Sequence, residues 1–205
     1  MEGNRIFSNR RIILATHNQG KIKEFQAALG LIGIEGIPVS AVSHAEDPEE
    51  TGKTFEENAV LKAHYYALAC GHPVLADDSG IIADALGNRP GIYSARYSGK
   101  HGDDAANNEK LIQELSSVPG DQRTGRYVCA VAVVWPDGKT ITASGECPGI
   151  IRDFYQGHGG FGYDPLFFLP EYEKTMAELS IEEKNKISHR GKALRKLIKK
   201  LSVVK

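Results

Sequence analysis

The chain has no run of apolar residues approaching the roughly 18 needed to cross a membrane. Residues Met1 to Arg10 have no hydrophobic stretch, so no signal peptide is expected there. Cysteine is scarce: Cys70, Cys129 and Cys147 are odd in number, far apart, and form no CxxC pair. A disulfide framework and a zinc site are therefore not expected. Cys129, inside the apolar run 127–131, reads as a buried, inert thiol, and a reducing cytoplasm fits best. Charge of one sign is also lacking, with 25 basic against 26 acidic residues and a net charge of −1. A protein that coats nucleic acid carries a basic excess, so no nucleic-acid partner is expected, and no membrane partner. The one dense basic run, Lys192 to Lys200, falls on helical spacing and reads as a solvated helix face. No internal repeat or low-complexity segment stands out.

What is present alternates between strand and helix patterns. Residues 11–15 (RIILA) form a short β-branched apolar run, a buried strand. A polar loop follows at 16–20, then Ile22, Phe25 and Leu29 at helical spacing, stopped by Gly30. A short strand is expected near 37–42. Thr54 and Glu57 fit a capping box that opens a helix running to about Cys70, ended by Gly71 and Pro73. Residues 74–76 read as a strand that feeds a polar loop, Asp77-Asp78-Ser79-Gly80. Residues 83–103 are rich in Gly, Ser, Asn and Tyr and read as a long ordered loop or hairpin. Residues 104–115 are helical. The strand 126–135 turns at Pro136-Asp137-Gly138 and returns over 139–143. A short helix at 180–187 opens on Ser180 and Glu183, and a last helix from Ser188 carries the stripe Leu194, Leu197, Ile198, Leu201. The fold class is α/β, with a mixed sheet and a second lobe built on the hairpin.

Four polar clusters are poor candidates for packing. Thr16, His17, Asn18, Gln19, Gly20 and Lys21 lie between a strand and a helix. Free N–H groups at a helix start attract anions, and a Lys in the first turn opposes the helix dipole unless an anion binds there. The Walker A spacing is missing. Around Glu50, Glu57, Asn58 and Lys62, carboxylates and a cation suit Mg²⁺ and phosphate together, and Asn58 and Lys62 share a helix face; a capped, exposed helix end is the plain alternative. Asp77 and Asp78 are adjacent carboxylates at a strand end, a repulsion that a divalent cation relieves, and Mg²⁺ takes one or two carboxylates along with waters and substrate phosphates. Finally, 157–165 (GHGGFGYDP) contains a formal GxGxxG, but no good strand precedes it and Pro165 follows where a helix should open. An aromatic flanked by glycines, Phe161, suits stacking on a base.

Six segments now taken together resemble the inosine triphosphate pyrophosphatases, the Ham1 or RdgB-like family: ATHNQGK (15–21), ETGKTFEENAVLKA (50–63), ADDSGI (76–81), PGIYSARYSG (90–99), GGFGYDPLF (159–167) and EEKNKISHRGKAL (182–194). The resemblance covers most of residues 11–201 and leaves 1–10 as a tail ahead of one catalytic domain, 11–205. It implies an elongated, two-lobed mixed-sheet fold with the active site in the cleft between lobes, and a homodimer. It implies that Thr16 to Lys21 bind the triphosphate. Glu50 and Asp78 would be the metal carboxylates, for Mg²⁺ with Mn²⁺ as a possible substitute, and Asp78 would also be the proton acceptor. Ser79 would contact substrate. Phe161, Gly162, Tyr163 and Asp164 would form the base and sugar loop, with Lys184, His189 and Arg190 at the base edge. Glu57, Asn58 and Lys62 would be active-site helix residues.

The implied activity is hydrolysis of deaminated purine nucleoside triphosphates to a monophosphate and pyrophosphate, clearing them from the nucleotide pool. Inosine and xanthine bases carry a 6-keto acceptor where adenine carries a 6-amino donor, so donors such as Lys184, His189 and Arg190 favour the former. Three other readings stay open: a Maf-like pyrophosphatase acting on other modified or pyrimidine nucleotides, a non-catalytic nucleotide- or RNA-binding module, and a phosphatase releasing orthophosphate, distinguishable by its product.

Overall fold

The computed structural model describes residues 10–203, so the tail expected over 1–10 lies, apart from Arg10, outside the described residues. The chain divides into two compact units. Of the described residues, one comprises those up to 78, 129–145 and those from 190 onward, and the other 79–128 and 146–189.

The first unit begins as the sequence predicts. β1 (Arg11–Leu14) leads through Asn18, whose side chain caps the helix, into α1 (Gln19–Gly30). β2 (Glu35–Pro38) is followed by a 3₁₀ turn at Val39–Ala41, so the second strand comes earlier than expected and ends at its proline. α2 (Phe55–Cys70) is capped by Thr54 and closed by Gly71 at φ 64°, a conformation that glycine adopts without a Cβ penalty. β1 pairs in parallel with both β2 and β3 (Val74–Ala83). The chain therefore leaves β1 for one neighbour and later returns to the other. Ligands of open α/β sheets bind outside the carboxyl ends of strands at such a reversal.

β3 corrects the sequence reading. Residues 77–80 are not a loop at a strand end; the strand runs straight through them to Ala83. Side chains on a strand alternate between faces, and the two cores of this unit follow that alternation closely. Ile12, Leu14, Leu75, Cys129, Val131 and Val133 pack with α1 residues Ile22, Phe25 and Leu29. Ile13, Ala15, Val74, Ala76, Ala130 and Ala132 pack with α2 residues Ala59, Ala63 and Tyr66. Asp77 continues the first series and Asp78 the second, so adjacent carboxylates leave opposite faces of one strand.

In the second unit, α3 (Asp104–Leu115) buries Leu111 and Leu115. β4 (Thr124–Val134) and β5 (Thr140–Ile151), whose residues 129–145 belong to the first unit, form the expected hairpin, but β5 is far longer than the five-residue return and runs on through Cys147-Pro148-Gly149. Two short strands that the sequence did not announce, β6 (Phe167–Leu169) and β7 (Lys174–Thr175), pair antiparallel after it. Strand order through the mixed, seven-stranded sheet is β2-β1-β3-β4-β5-β6-β7. Residues 84–96, expected in a long loop, are ordered by 3₁₀ turns at Asp84–Leu86 and Gly91–Arg96. α4 (Ile181–Ile187) opens on the full Ser180–Glu183 capping box.

α5 (His189–Val203) returns to the first unit with Leu194, Leu197 and Leu201 buried; each contributes roughly 1.5–3 kcal/mol on burial. Its basic face is not only solvated. Lys196 and Lys200 donate to the β5 carbonyls of Ser144 and Thr142 at 2.8 and 2.7 Å. No helix among the described residues is long and apolar enough to cross a membrane.

Candidate active site

In the first unit, register places the polar residues. Ala15 N–H donates to the Leu75 carbonyl at 2.9 Å, so the chain leaves β1 beside Asp77 and Asp78. Thr16 is buried, and its Oγ1 accepts the Asn18 N–H at 3.2 Å. Asn18 Oδ1 accepts the Lys21 N–H at 3.0 Å. That cap leaves the Gln19 and Gly20 N–H groups without intrahelical partners, and no acidic residue occupies the first turn of α1 to neutralise them. The helix start is thus prepared for an anion. His17 is exposed, 3.8 Å from Asp47.

Asp77 is buried on the α1 and α5 side. Lys21 Nζ lies 3.1 Å from its Oδ2 and Arg190 Nε 3.4 Å from the same oxygen. Arg190 is 2% exposed, and its Nη1 donates to Glu24 Oε2 at 2.5 Å. Burial alone would raise the Asp77 carboxyl, but Lys21, then Arg190, then Lys62 hold it well below the usual carboxylate range. This corrects one expectation: the repulsion inferred for Asp77 and Asp78 is not shared at one point, because Asp77 is compensated from within. Arg190, placed by resemblance at the base edge, is buried and serves as a counter-charge for Glu24 and Asp77.

Asp78 faces α2. Burial first, and then Glu50, push its carboxyl up to about 6, against the Asn58 hydrogen bond and the charges of Lys21 and Lys62. Lys62 Nζ donates to Glu50 Oε1 at 2.9 Å. Burial would lower that ammonium, and the Glu50 charge and hydrogen bond more than offset it, so it is held above its ordinary value. Asn58 is fully buried. Its Nδ2 donates to Asp78 Oδ2 at 3.0 Å, and its Oδ1 accepts the Gly52 N–H at 2.8 Å. One amide therefore holds the Glu50 loop and the Asp78 strand together, and Gly52 is required because a Cβ there would sit 2.5 Å from Asn58 Oδ1. Asn58→Ala leaves the Gly52 N–H and Asp78 without this partner. It is expected to cost about 1–3 kcal/mol in urea denaturation; a loss below a few tenths would show that the amide holds neither segment. Glu57 has a plainer role than expected. It is exposed, and its Oε2 accepts the Lys53 N–H at 2.6 Å, one residue before the cap, while Thr54 Oγ1 accepts the Glu57 N–H.

The donor set fits a small hard cation. No group of three or more His, Cys, Asp or Glu that could hold a metal occurs among the described residues. Two carboxylates, one of which raises the proton affinity of the other, are what Mg²⁺ uses when phosphates supply further oxygens.

The second unit gathers the remaining predicted residues. Asp164, 4% exposed, accepts from Lys184 Nζ at 2.8 Å and from the Phe161 N–H at 2.9 Å. Lys184 is buried too, its ammonium 5.3 Å from the Phe161 ring centroid. Gly162 donates its N–H to Asp104 at 2.8 Å and accepts from Asn108 Nδ2 at 3.1 Å. The aromatic loop is thus fixed from α3, a link between distant residues with no local sequence signal. Gly160, at φ 77°, has its Cα face against Asp164, where a Cβ would lie 2.9 Å from Cγ. Tyr163 is turned inward, its hydroxyl donating to the Ser94 carbonyl at 2.8 Å. Ser79 is half-buried on β3, and His189 is buried at the start of α5. Sequence reasoning missed Glu24 and Tyr127. Glu24 left a faint mark, lying one turn before Ala28 on the buried face of α1.

A family model described as the Ham1 family matches residues 12–200. The chain is 48% identical over 196 residues to the dITP/XTP pyrophosphatase of Bacillus cereus, covering 95% of this chain and 96% of that protein. It is 52% identical over 188 residues to the dITP/XTP pyrophosphatase of Geobacillus kaustophilus, covering 92% of each. Among solved structures it is similar to the Ham1 protein of Staphylococcus aureus, at a TM-score of 0.82 and 43% identity, over 95% of this chain and all of that one.

Proposed function

The chain belongs to the Ham1 family, and from that premise we propose that it hydrolyses noncanonical purine nucleoside triphosphates, dITP and ITP, XTP and dXTP, to the monophosphate and pyrophosphate. It is a nucleoside triphosphate pyrophosphatase that clears such nucleotides from the precursor pool. The observation that carries the reading is Asp78: a buried carboxylate pushed up to about 6, beside Glu50 and within the field of Lys21 and Lys62. A base poised near the working pH, among cations that suit phosphate, is what attack by water requires.

The chain's own residues divide the reaction into separate tasks. Water attacks the α-phosphorus, its proton passes to Asp78, and pyrophosphate leaves. The α1 start and Lys21 hold the triphosphate and offset the charge that builds on it. Asp77 keeps the Lys21 ammonium in place from behind. Glu50 and Asp78 would hold the metal, for which Mg²⁺, with Mn²⁺ as a substitute, fits the carboxylate pair. When bound, that ion neutralises phosphate charge and acidifies water. Phe161 stacks on the base, and Lys184 and His189 donate to its 6-keto oxygen. Residues 11–205 act as one catalytic domain, a reading supported by the span of the family match. A homodimer and a cytoplasmic site of action complete the reading, supported by the resemblance and by the three separated cysteines.

The test is to incubate the protein with Mg²⁺ and dITP, XTP, dGTP, dATP or dTTP in turn, measuring pyrophosphate and orthophosphate separately. Rapid pyrophosphate release from dITP and XTP, with little from the others, is expected. Release only from other nucleotides would sink the base assignment, and orthophosphate as the first product would sink the reaction.

A further inference from the structure

Tyr127 belongs to none of the clusters that the sequence marks as chemical. It lies on β4 in the second unit, 6% exposed, with its ring 4.5 Å from that of Phe167. These are the contacts of a core aromatic. Two further contacts are with the base-recognition residues. Its ring is stacked on the imidazole of His189, with centroids 4.6 Å apart and 11° between the planes. Its hydroxyl donates to Asp164 Oδ1 at 3.3 Å, and Asp164 in turn holds Lys184 and the Phe161 N–H.

An imidazole on a helix has a broad torsion about its Cβ–Cγ bond. A parallel ring at this distance removes that freedom by fixing the imidazole plane. A donor aimed before the ligand arrives incurs no ordering cost on binding. We propose that Tyr127 is a positioning residue for base recognition: its ring sets the plane of His189 so that the imidazole N–H meets the 6-keto oxygen of the purine. This rests on the reading of His189 as a base contact. The hydroxyl bond to Asp164 is long, so the ring carries the effect.

The probe is a pair of substrates that differ only at C6: dITP, and purine 2′-deoxyriboside triphosphate, which has no oxygen there. The ratio of their kcat/KM values isolates recognition of that oxygen. Tyr127→Leu is expected to lower kcat/KM for dITP about tenfold, the size of one hydrogen bond in a site, with little change for the purine analogue. Tyr127→Phe keeps the stack and should keep the ratio. His189→Ala should collapse the ratio, and Tyr127→Leu added to it should lower it no further, because both act on one contact. Tyr127→Met, also unable to stack, replaces the leucine variant if that one does not fold. Equal losses on both substrates in the Leu or Met variant would make Tyr127 a packing residue and overturn the proposal. If His189→Ala leaves the ratio intact, the base-contact reading falls first and the proposal with it. If His189→Ala collapses the ratio and Tyr127→Leu does not, the proposal alone falls.

Discussion

Asp78→Asn is expected to lower kcat for dITP by about 10²–10⁴-fold, the usual contribution of a general base, while KM changes far less. The same substitution should stabilise the metal-free protein near neutral pH. In the folded state the carboxyl titrates at about 6 against an ordinary 3.8. A group whose folded value is raised binds its proton more tightly when folded. Its contribution to stability is therefore complete below about pH 4 and is lost as pH rises through about 6. The rise corresponds to about 3 kcal/mol by pH 7. Asparagine has no proton to lose, so denaturation in the presence of a chelator should show the variant more stable than the parent at pH 7 and level with it near pH 4. A near-normal kcat would remove Asp78 from the base role. A variant less stable than its parent at pH 7 would show that the metal-free carboxylate is not under strain.

The second large effect lies on the other face of β3. Arg190→Met would leave Glu24 and Asp77 buried without their shared counter-charge, and removing one partner of a buried ion pair costs about 3–5 kcal/mol. The guanidinium reaches both carboxylates at once, Glu24 through Nη1 and Asp77 through Nε. Arg190→Lys supplies a point charge without that fork and should recover only part of the loss. Adding Glu24→Gln to Arg190→Met should restore some stability by removing one uncompensated charge. Equilibrium urea denaturation measures all three. If Arg190→Met kept full stability but lost base preference, the base-edge role implied by resemblance would stand instead of the one argued from burial.

The sequence carried the elements whose signals are local. Asn18 opens α1, Thr54 and Gly71 bracket α2, and Ser180 with Glu183 opens α4; each is a capping interaction within a few residues. Non-local compensation was not readable. Asp77-Asp78-Ser79-Gly80 has the composition of a turn, and it continues a strand only because Lys21, Arg190 and Asn58, far away in sequence, satisfy the two carboxylates. β5 passes through Pro148 and Gly149 for a similar reason. Glycine at 149 lets Phe167 and the Phe168 carbonyl approach to 2.6 Å from where a Cβ would stand. In the candidate site, the resemblance supplied residues, whereas the division of labour between Asp77 and Asp78 came from strand alternation. Tyr127 stayed hidden because an aromatic in the run 127–131 looks like core, which in part it is.

The first unit is assembled from three separated stretches, and the last of them contributes Arg190. During synthesis, at about 5–20 residues per second, Glu24 and Asp77 leave the ribosome long before the guanidinium that neutralises them. Until then, closing α1 over β3 would bury two carboxylates against Lys21 and the field of Lys62. The order of translation therefore disfavours closure of α1 over β3 until α5 brings Arg190 to both carboxylates.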